Sequence, residues 1–280
     1  MKKFFAFVFV SAFFCASFAE NFQYAYTVNV QNESGAGYNL EISYPVFGGK
    51  LKAVDKKIAE SVETDVEFLK RKCTLSVLET VVCYSDYVIN DWNFKKKFDS
   101  LTGGYDLQLP TMSDSQYKDW LMSSKGTALI KLLKDKLSEQ NQEIPYSYSY
   151  YLNFQVFVSE KYLSVYLDVH DWTTGGNGNH EVITTVNYDL EQKSFVTLED
   201  VTGLSTRKLV SLVADELNQR YDSYKADAVR DRSGKGCFPL FTVSQGTVTV
   251  YFNPYEIASG AEGVLKAYLF PYAIQEAQTR

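Results

Sequence analysis

The side chains best suited to chemistry lie close together around residue 175. His170 and His180 are the two histidines of the chain, and acidic residues flank both. Two imidazoles and a carboxylate form a common ligand set for divalent metals, here with Asp168, Asp171 or Glu181. A metal-assisted hydrolase is therefore one hypothesis. The alternative is that Asp168 and His170 are solvated positions on one strand, opposite its alternating apolar residues.

Other catalytic patterns are missing from the sequence. It contains no Gly-x-Ser-x-Gly elbow, no His-Glu-x-x-His helix and no phosphate loop. The glycines at 175–178 precede a strand pattern, so no helix N-terminus is available there for phosphate. Glu256 and Glu262 could act as a glycosidase pair, but 34 acidic residues make chance pairs common. We predict a protein without enzymatic activity, bound metal or cofactor.

Tyrosine is abundant, with 21 residues in the chain. Tyr146, Tyr148 and Tyr150 alternate along a predicted strand and would share one face. Amphipathic aromatic side chains on a rigid sheet suit a recognition surface. They suit equally an inward aromatic layer whose hydroxyls reach the rim. The pattern leaves both interpretations open.

Hydrophobic periodicity predicts the elements that position these side chains. In the first half we expect a hairpin over 24–47, an amphipathic helix over 51–72 and strands over 75–89. A polar connector over 91–104 then precedes a helix that begins at Ser113 or Asp114, is interrupted at Gly126 and ends before Pro145. In the second half we expect strands over 146–158, 163–169, 182–190 and 195–201, a helix over 204–221, and strands over 248–252 and 264–270.

This order lacks the regular strand–helix alternation of parallel sheets. The sequence therefore predicts an α+β protein with mostly antiparallel sheets and packed helices. We place the boundary between two domains in the polar segment 140–145. The predicted units are residues 20–144 and 145–280.

The N-terminus resembles a secretory signal peptide. Lys2 and Lys3 precede an apolar run over 4–14, and Ser17 and Ala19 form a small-x-small cleavage site. We expect cleavage after Ala19 and a periplasmic or secreted protein that is not integral to the membrane. The alternatives are a retained anchor, which needs a longer apolar run, and a lipoprotein acylated at Cys15, which bulky preceding residues disfavour.

The net charge of the chain indicates which class of partner it is suited to bind. Removal of residues 1–19 leaves 26 basic and 34 acidic residues, a formal net charge of −8. No run of Lys and Arg interleaved with aromatic residues is present, so nucleic acid is not an expected partner. The acidic balance matches a basic protein, although it could equally serve solubility alone.

Three cysteines follow the predicted cleavage site: Cys73, Cys83 and Cys237. An oxidising compartment would allow one disulfide and one remaining thiol, with three possible pairings. The local pairing of Cys73 with Cys83 is our prediction. The alternative is three reduced thiols.

Several motifs in the second half resemble one known family. They are Leu163-Ser-Val165, Gly175-Gly176 followed by His180, Asn187-Tyr-Asp-Leu190, Thr197-Leu-Glu-Asp-Val201, and the segment from Val250 to Gly263 with its Tyr-Glu-Ile-Ala turn. Residues 151–272 thereby resemble the extracellular domain of RsiV-like anti-sigma factors, which bind lysozyme. Residues 24–68 resemble, more weakly, the domain that precedes it there and in PdaC-type peptidoglycan deacetylases.

The resemblance implies a binding function and a set of binding residues. The matching motifs contribute Gly175, Gly176, His180, Tyr255 and Glu256 to that set. Trp172 is added as the anchor of the glycine-rich loop over 172–179, because recognition usually involves loops on a rigid sheet, and the alternative is that Trp172 packs onto the core. The sequence departs from the family in the Gly-Gly-Asn-Gly-Asn-His loop, in the Ser-Gly step at 259–260 and in a longer connection over 91–141. It shows no anti-sigma segment, membrane span or deacetylase domain. We therefore expect a stand-alone envelope protein that binds a basic lysozyme-like muramidase or a peptidoglycan component.

Overall fold

The computed structural model describes residues 25–35, 38–78, 90–104, 107, 109, 111–140, 148–173 and 180–279. Two sheets and packed helices confirm the predicted α+β fold. The first sheet has the order β1 (Thr27–Gly35), β2 (Tyr38–Val46), β3 (Tyr148–Val158), β4 (Tyr162–Thr173), β5 (His180–Asp189) and β6 (Ser194–Phe195). The second sheet has the order β7 (Phe241–Ser244), β8 (Thr247–Phe252) and β9 (Leu265–Leu269).

Helices cover one face of each sheet. They are α1 (Lys52–Leu78), α2 (Trp92–Thr102), α3 (Asp114–Met122), α4 (Ser124–Gln140), α5 (Leu198–Thr202), α6 (Thr206–Arg220), α7 (Ala226–Arg230) and α8 (Pro271–Thr279). No helix within the described ranges combines the length and the apolar character that a bilayer crossing requires.

The first sheet buries one face against α1. Apolar residues on α1 recur at intervals of four, and Val54, Ile58, Val62 and Val66 are all buried. They pack against inward residues of β2 to β5, among them Tyr150 and Leu152. The strand pairs are antiparallel except β2 with β3, which are parallel. The sheet and this core contain residues from both predicted units, so the predicted boundary falls between two strands of one sheet.

Two predictions in the first half were wrong. Helix α1 does not end near Lys72 but continues to Leu78, and Leu75 and Leu78 are fully buried in a helical cluster instead of forming a strand. The rest of the predicted strand region, residues 79–89, lies outside the described residues. The predicted connector over 91–104 is helix α2, in which Asp91 caps the N-terminus and Phe94 and Phe98 are buried.

The predicted interruption of the next helix lies at Ser123 instead of Gly126. Ser113 caps α3 as expected, and Ser123 adopts an extended conformation between α3 and α4. Gly126 has a different role, because a Cβ at that position would lie 2.3 Å from the carbonyl oxygen of Leu121. The glycine therefore permits α4 to pack closely against the end of α3.

The second half follows its predicted order, but strand β7 and helices α7 and α8 were not predicted, and one segment has a different structure. The segment expected as a strand over 195–201 is the two-residue β6 followed by α5, since Thr197 and Asp200 form a capping box. Helix α6 and strands β8 and β9 confirm the predictions. Leu209, Val213 and Leu217 of α6 pack against the second sheet.

A buried polar group joins the two sheets. Asn187 on β5 donates to the carbonyl of Phe241 at 2.8 Å and accepts from the hydroxyl of Ser164 at 2.6 Å. The Ser164 oxygen in turn accepts from the backbone N–H of Val243 at 2.9 Å. Two strands of the first sheet thus bind the backbone of β7 through their side chains. This junction covers one end of the outer face of the first sheet, where Tyr166, Ile183 and Tyr251 pack together.

Of the three cysteines that follow the predicted cleavage site, the structure describes Cys73 and Cys237. Cys73 is buried in the core between α1 and the first sheet, and burial raises the pKa of its thiol to about 12. No disulfide joins Cys73 to Cys237. The predicted pairing of Cys73 with Cys83 and the alternative of lipidation at Cys15 both involve residues outside the described part of the chain.

Candidate functional site

At the end away from β7, the outer face of the first sheet carries exposed side chains among the residues that the structure describes. Strand alternation places Asp168, His170 and Trp172 on this face, opposite the buried Leu167. The register pairs Tyr151 with His170 and with Glu41 of β2. We call these five residues the outer patch: Glu41, Tyr151, Asp168, His170 and Trp172. They bring carboxylate, imidazole and aromatic groups together on one rigid surface.

Two aromatic side chains of the outer patch are exposed on a strand. The accessible fraction is 39% for Trp172 and 36% for Tyr151. Large aromatic side chains are normally buried in a sheet, where each would remove considerable apolar area from water. The structure thus places Trp172 on the outer face instead of in the core.

Asp168 and His170 form a pair on the same face. The Nε2 atom of His170 lies 3.1 Å from Oδ2 of Asp168. The other oxygen, Oδ1 of Asp168, is buried and has no hydrogen-bond partner among the described residues. A buried carboxylate oxygen without a donor is costly, so this position favours a ligand or water that donates to it.

Asp171 cannot join this pair, so it does not belong with them to the hypothetical set of metal ligands. Its side chain lies on the inner face, where it accepts a 2.7 Å hydrogen bond from the hydroxyl of Tyr148. The register pairs Asp171 with His180, and it pairs His170 with Glu181. The part of the chain that the structure describes contains no group of three or more potential metal ligands.

Of the two interpretations of the alternating tyrosines, Tyr148 and Tyr150 agree with the inward aromatic layer. Tyr148 and Tyr150 point into the core, and the accessible fraction of Tyr150 is 1%. Burial and the carboxylate of Asp171 raise the pKa of the Tyr148 hydroxyl. Tyr146 lies outside the described residues. On β3 the exposed tyrosine is Tyr151, because consecutive residues of a strand point to opposite faces of the sheet.

Glu256, a predicted binding residue, has internal partners for both oxygens. Oε2 accepts from the backbone N–H of Asn253 at 2.8 Å, and Oε1 pairs with the guanidinium of Arg232. That guanidinium lies over the rings of Phe238 and Phe252. Glu256 therefore holds the loop after β8 in place. Because Glu256 is paired with Arg232, it is poorly suited to act as one of the two carboxyl groups of a glycosidase.

Tyr255, in the same loop, is 63% exposed and adopts a positive φ of 68°. Its ring lies directly over Gly260, where a Cβ would come within 2.1 Å of Cζ. Gly260 therefore permits this ring position, which explains the Ser-Gly step at 259–260. The side chain of Asn253 fastens the loop to β5 through both the N–H and the carbonyl of Ile183, at 2.7 and 3.1 Å.

The remaining predicted site residues are partly outside the described structure. Gly175 and Gly176 belong to residues 174–179, which are not described. His180 begins β5, and its backbone pairs with Asp171. Sequence reasoning identified Trp172 but missed Tyr151 and Glu41. The doublet Tyr150-Tyr151 within an alternating strand was the signal that could have found Tyr151.

Comparisons with known proteins find similar solved structures but no matching family model or curated protein. A solved member of the DUF3298 family from Bacteroides fragilis NCTC 9343 is 16% identical, with coverage of 92% of this chain and 99% of that one, at a TM-score of 0.43. A DUF3298 family protein from Pseudomonas aeruginosa PAO1 is 15% identical, with coverages of 91% and 92%, at a TM-score of 0.37. Neither description names a ligand or an activity, and the resemblance to RsiV-like domains stays a prediction.

Proposed function

We propose that the protein is an exported, non-catalytic binding protein of the cell envelope, and that its outer patch receives a basic protein of the lysozyme type. The observation that carries the proposal is the exposure of Trp172 and Tyr151 beside the carboxylates of Asp168 and Glu41 on one rigid sheet face. Exposed aromatic anchors are enriched among residues that dominate protein interfaces.

Electrostatics supports the same class of partner. The chain carries a formal net charge of −6 before signal removal. Two carboxylates in the outer patch would face a cationic surface, and attraction of this kind accelerates association. Because dissolved salt screens exposed charges over about 8–10 Å near physiological ionic strength, such binding weakens as salt is added.

Isothermal titration of the mature protein with purified lysozyme, and separately with soluble peptidoglycan fragments, tests the proposal. We expect saturable heat with lysozyme, and an affinity that falls as salt rises from about 50 to 300 mM. Heat with the fragments but not with lysozyme would indicate that the ligand is peptidoglycan and not a protein. No heat with either would contradict the proposed binding of a muramidase or peptidoglycan. Elemental analysis tests the hydrolase hypothesis separately: a stoichiometric metal would favour it, and no metal would discard it.

Export is a separate prediction that intact mass can check. When the full chain is produced in a secreting bacterium, we expect a mature protein that begins at Glu20, because Ala19 ends the small-x-small site. A mass that retains residues 1–19 would contradict export by this route. A diacylglyceryl adduct on Cys15 would identify a lipoprotein.

A further inference from the structure

A second surface lies between α6, β9 and α8. It is a groove with a volume of about 640 Å³. Sites for small molecules typically have volumes of roughly 300–1,000 Å³ and combine aromatic walls with a few polar groups. This groove contains both kinds of lining, and none of its residues belongs to the outer patch.

Aromatic rings form one wall of the groove. Phe270 and Tyr272 are stacked, with ring centroids 5.7 Å apart and planes 6° apart. The accessible fraction of Tyr272 is 70%. The third ring, Tyr268, lies 4.5 Å from the guanidinium carbon of Arg220. The wall therefore offers an exposed, flat aromatic surface.

Contacts with neighbouring side chains and with the second sheet's core fix the position of this wall. Arg220 is held by an ion pair with Glu216, one helical turn before it. The side chain of Gln278 holds α8 in place by donating to the carbonyl of Thr202 at 2.7 Å. Ile274 of the same helix packs against the core between α6 and the second sheet. A surface that is ordered before binding loses less entropy when a ligand arrives.

The opposite wall is polar and contains both signs of charge. Helix α6 contributes side chains that donate and accept hydrogen bonds: Arg207, Lys208, Ser211, Asp215, Glu216 and Gln219. Acidic groups disfavour a phosphate or carboxylate ligand, whereas Arg207 and Lys208 disfavour a metal cation. The polar groups also disfavour a purely apolar ligand, which would leave them buried without partners.

We propose that this groove binds a neutral saccharide. A sugar ring has an apolar face of C–H groups and a rim of hydroxyls, so it would stack on Tyr272 while Asp215 and Gln219 bond to its hydroxyls. This role is independent of the proposed function, because the groove and the outer patch share no residue.

Saturation-transfer NMR and isothermal titration with three neutral oligosaccharides test the proposal: tetra-N-acetylchitotetraose, cellotetraose and maltotetraose. We expect at least one to bind, and we expect Tyr272→Ala to weaken that binding by about tenfold or more, since the ring would supply most of the stacking area. Asp215→Asn, which keeps the shape of the side chain, should weaken it several-fold. Tyr272→Phe should retain most of the affinity.

The matched control is Trp92→Ala, which removes an exposed aromatic ring from α2, outside both the groove and the outer patch, and should leave saccharide binding unchanged. Thermal melts confirm that each variant is folded. No binding of any of the three oligosaccharides, or binding that neither Tyr272→Ala nor Asp215→Asn weakens, would overturn the proposal. Failure of lysozyme binding would not affect it.

Discussion

Asn187→Ala should lower the free energy of unfolding by about 3 kcal/mol, because it removes buried hydrogen bonds that join the two sheets. The accessible fraction of Asn187 is 5%. The substitution leaves the Phe241 carbonyl without this donor and the Ser164 hydroxyl without its acceptor. Each buried polar group that loses its partner costs about 1–3 kcal/mol. Urea denaturation followed by circular dichroism measures the loss.

Asn153→Ala is the matched control for this prediction. Asn153 also lies on a strand of the first sheet, but its side chain is exposed. Its replacement should change the free energy of unfolding by about 0.5 kcal/mol or less. If Asn187→Ala were no more destabilising than Asn153→Ala, the polar junction would contribute little to the association of the sheets.

Elements with long, regular periodicity could be predicted from the sequence. The alternation of Leu163, Val165 and Leu167 predicted β4, because a half-buried strand must point every second residue inward. The spacing of Val54, Ile58 and Val62 predicted α1 for the corresponding helical reason. In both elements the apolar residues of one face pack into the core between α1 and the first sheet, so burial of that face leaves a clear pattern in the sequence.

Short or locally ambiguous elements could not be predicted in this way. Helix α2 has apolar contacts at Phe94 and Phe98, but three consecutive lysines between them give the segment the composition of a connector. The decisive signal was the cap at Asp91, which favours a helix start only if the following residues pack. Leu75 and Leu78 belong to a helix because three other helices bury them, which is tertiary information.

Several motif residues that suggested the resemblance prove to have structural roles. Asn187 joins the sheets, and Asp200 caps α5 and pairs with Lys235, which lowers its pKa to about 2. Glu256 fixes a loop through Arg232. Polar residues that bind backbone groups are constrained by geometry, so a motif can report on the scaffold without identifying a ligand.

Trp172→Ala should weaken lysozyme binding more than tenfold, under the proposed function. The indole is 39% exposed on a rigid strand, and burial of such a ring at the centre of an interface commonly contributes about 2 kcal/mol or more. A loss of 1.4 kcal/mol already corresponds to about tenfold in affinity. The substitution should cost about 1 kcal/mol or less in folding stability, because the side chain is outside the core. Isothermal titration and thermal melting of the same preparation measure the two effects.

Trp92→Ala provides the matched control, since Trp92 is 74% exposed on α2, away from the first sheet's outer face. It removes the same side chain from an exposed position and should leave the affinity for lysozyme unchanged. Trp172→Phe should retain part of the affinity, because a smaller ring still covers part of the interface. If Trp172→Ala instead lowered the melting temperature sharply and left the affinity of the folded fraction intact, the indole would be a packing residue. The outer patch would then lose its anchor, and the proposed binding face would be wrong.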